Sequence, residues 1–392
     1  MDAGKLTYKF GVEIELLLSS RKNHKEWHGL AAELSARLKS AGIANHINER
    51  KVSSLANYTE WSIAPEVSVP FGHGKKGEMQ YGIELVSPVF STTPEELWTK
   101  QLDTVFRVLA KHFTITPSEK CGTHVHVSTI PALASQPPDV LASVAKAALR
   151  HESALDALFP AERAGSYWAQ SNREQSTALK DKSLEECLEY LDMCASEKQK
   201  QVATATTTTT TTTTSETTSS AATERIVRAM CLLPPDSVYG LAGGYKEDFV
   251  HGVFKWDFSG LIPPTPTPGL DTIPEDSETA TTSTSIRKKA KGTLQFRQPP
   301  GSLSAEQARA YVELAVSFVA GAVVAAQTQS QAQSQSVPAP ETERQRESDL
   351  DELWGLLFEG VHASGIGNLK TVLKVLLAPA REKIQREERG SG

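Results

Sequence analysis

The 392-residue chain has little cysteine, no long run of basic charge and no apolar stretch of membrane-spanning length. Its four cysteines, Cys121, Cys187, Cys194 and Cys231, are irregularly spaced and form no Cys-x-x-Cys pair. That excludes a disulfide framework and fits a reducing, cytoplasmic compartment. The net charge is −6 and basic stretches are short, as in "IRKKAK" at 286–291, which argues against a general nucleic-acid or anionic-membrane surface. The most apolar run, Leu314 to Ala326, falls short of the roughly 20 residues of a bilayer span and predicts a buried helix. The N-terminal "LTYKFGVEIELLL" is interrupted by Lys9, Glu13 and Glu15, with no small-residue cleavage site after it, unlike a secretory signal. A soluble protein is expected.

Three segments lack the apolar content to fold: 195–223 with its threonine run Thr206–Thr214, the Pro/Thr/Ser-rich 262–291, and 328–347. Read as disordered inserts, they leave roughly 310 residues for one domain over 5–378, followed by a tail at 379–392. Alternating or short apolar stretches predict strands at 8–18, 58–68, 79–90, 121–128, 250–258 and 292–298. Helical spacing predicts helices from Trp27 to about Gly42, and from Pro94 to about His112 with Leu97, Leu102, Val105, Phe106 and Leu109 inward. Others follow at 139–159, 184–194, 304–327, 350–359 and 368–378, while "RIVRAMCLL" fits helix or strand. Strands interleaved with helices over long connections imply an α+β fold, a largely antiparallel curved sheet with helices on one face.

What is abundant is polar residues on one face of these strands. In "YKFGVEIELLL" Tyr8, Phe10, Val12, Ile14 and Leu16 share one face, and Gly11, Glu13 and Glu15 the other. Carboxylates roughly 7 Å apart at an effective dielectric of about 20 repel by about 2 kcal/mol, so a partly buried pair needs a cation, a proton or water. A solvated face is the simpler reading of this strand alone. "CGTHVHVS" sets His124, His126 and Ser128 together, a pattern that can ligate one metal or can be two hydrogen-bonded histidines. "GIELVSPVF" puts Glu84 on a face with Gln80 and Gly82, and "GTLQFRQPPGS" puts Gln295 with Arg297. If these faces line one concave sheet, carboxylates and an imidazole would hold hard divalent cations and the arginine would meet phosphoryl oxygens.

In order along the chain, "FGVEIEL", "WSIAPEVS", "GIELVSPVF", "CGTHVHVS", "LFPAERAGSYWAQSN", "FKWDFSGL" and "QFRQPPGS" resemble the fungal and bacterial amidoligase family, which is similar to glutamine synthetase and glutamate–cysteine ligase. The resemblance spans most of 8–320. It implies a catalytic domain like theirs and an ATP-dependent carboxylate–amine ligase. Mg²⁺ (or Mn²⁺) and ATP would activate a small-molecule or peptide carboxylate as an acyl phosphate, and an amine would then form an amide or isopeptide bond. It further implies Glu13, Glu15, Glu84 and His124 as metal ligands, with Gln295 at a ligand position where the family has Glu. Arg297 would contact the transferring phosphoryl group. Arg163 is a candidate for phosphate or substrate carboxylate, with a surface arginine as the alternative. Glu66, where the family usually has Asp, is a candidate proton acceptor from the amine, and Asp257 replaces a usual Asn.

Two alternatives stay open from sequence. One is a metal-dependent hydrolase built on the His-Val-His strand, with Cys121 as a further possible ligand. The other is a catalytically weakened nucleotide- or metal-binding homologue, suggested by Gln295. The resemblance leaves oligomeric state open.

Overall fold

The computed structural model describes residues 6–49, 58–69, 71–74, 77–196, 214–263, 290–329 and 343–390. The threonine run up to Thr213, most of the 262–291 insert and most of the 328–347 insert lie outside them. The chain forms two compact units. The first comprises Met1–Ile130, His151–Ala169 and Phe296–Gly392, the second Pro131–Arg150 and Gln170–Gln295.

The first unit is built around β1 (Thr7–Ser20). Its period-two pattern buries Tyr8, Phe10, Val12, Ile14, Leu16 and Leu18, each 3% exposed or less. The other strands are β2 (Asn45–Ile47), β3 (Trp61–Pro65), β4 (Gly72–His73), β5 (Met79–Val86), β6 (Phe90–Ser91), β7 (Phe113–Thr116) and β8 (Thr123–Ile130). In the order β8-β1-β5-β3-β2 all neighbours are antiparallel except β2 and β3. β1 is long enough to pair with β5 and β6 along one edge and with β8 and β7 along the other. The architecture is therefore mixed α/β with a largely antiparallel sheet.

The helix Glu95–His112 differs from its expected phase in one respect. Leu97 is 62% exposed, and Trp98, fully buried, takes the inward place beside Leu102, Val105, Phe106 and Leu109. Only one of two adjacent side chains, about 100° apart around the helix, faces the sheet squarely, and the indole has more apolar area to bury. It meets Phe10 edge-on, with ring centres 5.3 Å apart. The helix expected over 139–159 ends at Arg150 and resumes as Glu152–Ala157, with His151 between them at φ −97°, ψ 11°. Residues 378–390, expected mainly as a tail, are helical.

The helix Ala305–Gln329 falls where one was expected over 304–327. Its apolar window has mean hydropathy 1.6, enough by length and composition to cross a bilayer, but 83% of that window is buried inside the protein. It packs against β1, β8 and the helices Glu95–His112 and Glu343–Ser364. The last contact is unusually close: a Cβ at Gly360 would collide with the Ser317 carbonyl, and one at Gly321 with that of Leu356. An exposed helix would gain about 1 kcal/mol from Gly→Ala. Here the helices would have to move apart, so Gly360→Ala is expected to destabilise the protein by about 3 kcal/mol in denaturant melts. A neutral or stabilising result would show that the two helices do not meet at Gly360.

The second unit is mainly helical. Pro138–Arg150, Leu184–Ala195 and Thr214–Cys231 pack together, the second opened by a capping box between Ser183 and Glu186. "RIVRAMCLL" resolves as helix through Cys231, after which Leu232–Leu233 pairs with Phe249–Val250. Asn172 is the bracket of this unit. Its amide donates to the Met230 and Trp256 carbonyls (2.9 and 2.8 Å) and accepts from Trp256 N–H (3.1 Å).

Candidate functional site

The polar face of β1 divides its two glutamates between two groups. Along one edge the register sets Glu15 opposite Glu84 of β5. Ala64 of β3 is also opposite Glu84, which brings Glu66, just past the end of β3, over the same face. Gly82 makes this approach possible. It lies on the same face as Glu84, and a Cβ there would collide with the Glu66 carbonyl and come within 2.7 Å of the Val69 carbonyl. The Glu66 N–H instead donates to the Gly82 carbonyl at 3.1 Å. Glu15, Glu66 and Glu84 thereby offer carboxylate oxygens within 4.8 Å of one another.

Glu15 and Glu66 are buried, at 8% and 7% exposed. Glu15 Oε2 accepts from the Gly122 N–H at 2.7 Å, and Glu66 Oε1 from the Ser68 N–H at 2.8 Å. Burial, then the Glu66 charge, then that of Glu84 push the Glu15 carboxyl up to about 8, against the opposing pull of the Gly122 hydrogen bond and the Arg297 charge. A like-charge pair placed directly across two strands is destabilising unless something neutral or cationic relieves it. Three hard oxygen donors at this spacing fit Mg²⁺ or Mn²⁺.

Along the other edge Glu13 faces His124 and Gly11 faces His126. Glu13 Oε2 is 3.3 Å from His124 Nδ1, and Glu13 Oε1 is 3.0 Å from His126 Nε2. Burial opposes the charge on Glu13, but the two imidazoles outweigh it and hold the carboxyl well below its usual range. Burial, then Arg297, push His124 down to about 4, so its ring is neutral. His124 Nε2 lies 3.7 Å from Glu15 Oε1 and links the two groups.

The arginines differ in kind. Arg163 is 3% exposed, and its fork is committed to main chain: Nε donates to the Gln298 carbonyl (3.0 Å), and one Nη to those of Arg297 and Pro299 (3.1 and 3.2 Å). It therefore positions the segment that carries Arg297. Arg297 spends only Nε, on the Trp168 carbonyl at 3.4 Å, and forms no ion pair among the described residues. Cys121 is buried, its thiol pushed up to about 12 by burial and the Glu15 charge. Gln295 lies in the second unit, 6% exposed on the strand Leu294–Phe296. Asp257 is in that unit too, where Oδ1 accepts from the Ser259 N–H at 2.7 Å.

Sequence reasoning missed two parts of this arrangement. Ser87, in "ELVSP", is a structural pin: its Oγ accepts from the Val12 N–H (2.9 Å) and donates to the Pro88 carbonyl (2.8 Å). Glu66 was read as a base rather than as a member of a carboxylate trio. The signal for its place was Gly82, a residue without a side chain two positions before Glu84 on the same face.

A family model described as "putative amidoligase enzyme" matches residues 6–219, more than half of the chain. No curated protein matches it. The matched stretch contains every strand that contributes a carboxylate or imidazole to the site, although not Arg297. The chain belongs to the amidoligase family.

Proposed function

We propose that the protein is an ATP-dependent carboxylate–amine ligase whose Glu15–Glu66–Glu84 trio holds a divalent cation and whose Arg297 meets the transferring phosphoryl group. The observation that carries this reading is the trio itself, three carboxylates whose oxygens lie within 4.8 Å of one another. The likeness to glutamine synthetase and glutamate–cysteine ligase extends the proposal to the fold, a curved sheet whose polar face is the catalytic surface.

In this reaction a carboxylate oxygen attacks the γ-phosphorus of ATP as the bond to ADP breaks. The amine lone pair then attacks the acyl carbon, phosphate departs with the C–O electrons, and the nitrogen loses a proton. The first step brings an anionic carboxylate onto an anionic γ-phosphate, and the second develops negative charge on the departing phosphate, so positioning and electrostatics do most of the catalysis. A divalent cation on the trio would supply countercharge to the phosphoryl oxygens. Arg297 offers its planar fork to the same oxygens. Arg163 keeps Arg297 in place through the main chain. Glu13 orients His124, while burial and the Arg297 charge keep the ring in the neutral form that can ligate a metal or accept a hydrogen bond. Glu66 serves the cation rather than the amine proton, because it lies inside the trio. Gln295, with a carbonyl in place of a carboxylate, would weaken any second cation it ligates.

The test is ADP release by the full-length protein with Mg²⁺ and ATP over pools of carboxylates and amines. Turnover should appear with a matched pair and fall to background in Glu84→Ala. The hydrolase reading would prevail if the purified protein carried stoichiometric zinc and released no ADP with any pool. ADP release surviving in Glu84→Ala would remove the trio from the chemistry.

A further inference from the structure

Beside the trio, within the first unit, a cleft of about 340 Å³ opens next to Glu15. Its floor is buried: Glu15, Cys121 and Arg163 are each at most 8% exposed. Its walls are largely apolar, with Leu17, Pro117, Pro160 and Leu303 among them. At its exposed rim stand two glutamates, Glu119 and Glu162, neither in an ion pair nor a hydrogen bond among the described residues. Arg163 is the only basic residue lining the cleft, and it is directed at three carbonyls. The cleft thus combines one carboxylate of the trio, apolar walls and two exposed glutamates with no ion pair among the described residues.

We infer that this cleft receives the amine substrate and selects one with a second ammonium group at the far end of a methylene chain, a free diamine or polyamine. The methylenes would lie against the prolines and leucines. The distal ammonium would meet Glu119 and Glu162, where a single-charged amine leaves both without a partner. The reacting nitrogen would reach the trio end. A lysine-type amine is disfavoured, because its carboxylate would sit beside its own distal ammonium and face the same two glutamates. The inference rests on the ligase reading for the fate of the amine, but not for its binding.

The test is calorimetric binding to the full-length, Mg²⁺-loaded protein with 1,5-diaminopentane, pentylamine and lysine as probes. The diamine should bind at least about tenfold tighter than either of the others. Glu119→Gln/Glu162→Gln should bring the diamine to the level of pentylamine and leave Mg²⁺ affinity and melting temperature unchanged. Equal binding of diamine and monoamine would overturn the inference, as would a preference that survives in the double variant. Tight lysine binding would assign the cleft to an amino acid instead. If the diamine binds as expected and no carboxylate pool then yields ADP, the ligase reading fails while the cleft assignment stands.

Discussion

Glu15→Gln is expected to lower ATP-dependent turnover by about 10³ and, at pH 8 without divalent cation, to make the protein more stable than the wild type. The two effects have one origin. Burial among Glu66 and Glu84 raises the Glu15 carboxyl to about 8, so between about 4.5 and 8 the folded state holds a proton that the unfolded chain has released. Stability then falls as pH rises through that interval. His124, lowered to about 4, works the other way: below 6.5 the unfolded chain takes up a proton that the folded ring refuses, so stability rises with pH from 4 to 6.5. Glu313, a buried carboxyl on the central helix raised to about 7 by burial and by Glu95, adds to the decline up to pH 7. Above 6.5 the decline is unopposed by His124, and from 7 to 8 Glu15 alone among these three carries it.

One proton per molecule corresponds to about 1.4 kcal/mol per pH unit, or about 2 kcal/mol between pH 6.5 and 8. Thermal melts across this range should show the decline in the wild type, its loss on adding Mg²⁺ at pH 8, and a flatter profile in Glu15→Gln that ignores Mg²⁺. A wild-type curve that is level from pH 6.5 to 8 would mean that the three carboxylates do not share a buried site.

Arg297→Ala is expected to lower kcat by about 10³, the scale on which a single arginine acts at a transferring phosphoryl group. The Mg²⁺ affinity of the trio should change far less, since Arg297 repels a cation there and loses nothing by leaving. Arg297→Lys should recover little, because an ammonium keeps the charge but not the fork. A structural role would not move a second readout: Arg297 helps hold His124 low, so its removal should shift the His124 titration upward by NMR. An Arg297→Ala enzyme with wild-type kcat would transfer the phosphoryl role to another residue.

Much of the site was legible in strand periodicity. The polar faces holding Glu13, Glu15, Glu84 and His124 follow from alternation along single strands, which needs no knowledge of neighbours. How those residues partition does not. Glu15 joins Glu84, and Glu13 joins the histidines, only because β5 and β8 flank β1 on opposite edges with particular registers. Register belongs to pairs of strands separated by some 70 to 110 residues, and no local pattern encodes it. Glu66 entered the trio through a tertiary approach over Gly82. Trp98 displaced Leu97 because neighbouring positions on an amphipathic helix compete for one core. The break at His151 falls where the buried imidazole packs edge-on against Phe318, ring centres 6.1 Å apart, a contact made across more than 160 residues of sequence.

The two faces of β1 also bind the history of the fold to that of its chemistry. A single-residue insertion or deletion between Tyr8 and Glu13 would turn the downstream part of the strand over, sending both glutamates toward the core and large apolar side chains toward the polar face. No such change can move the two carboxylates while sparing the hydrophobic core. Purifying selection for a folded chain therefore guards the placement of Glu13 and Glu15 even in a lineage that has stopped using them, and intact placement in a distant descendant would testify to folding before it testified to catalysis.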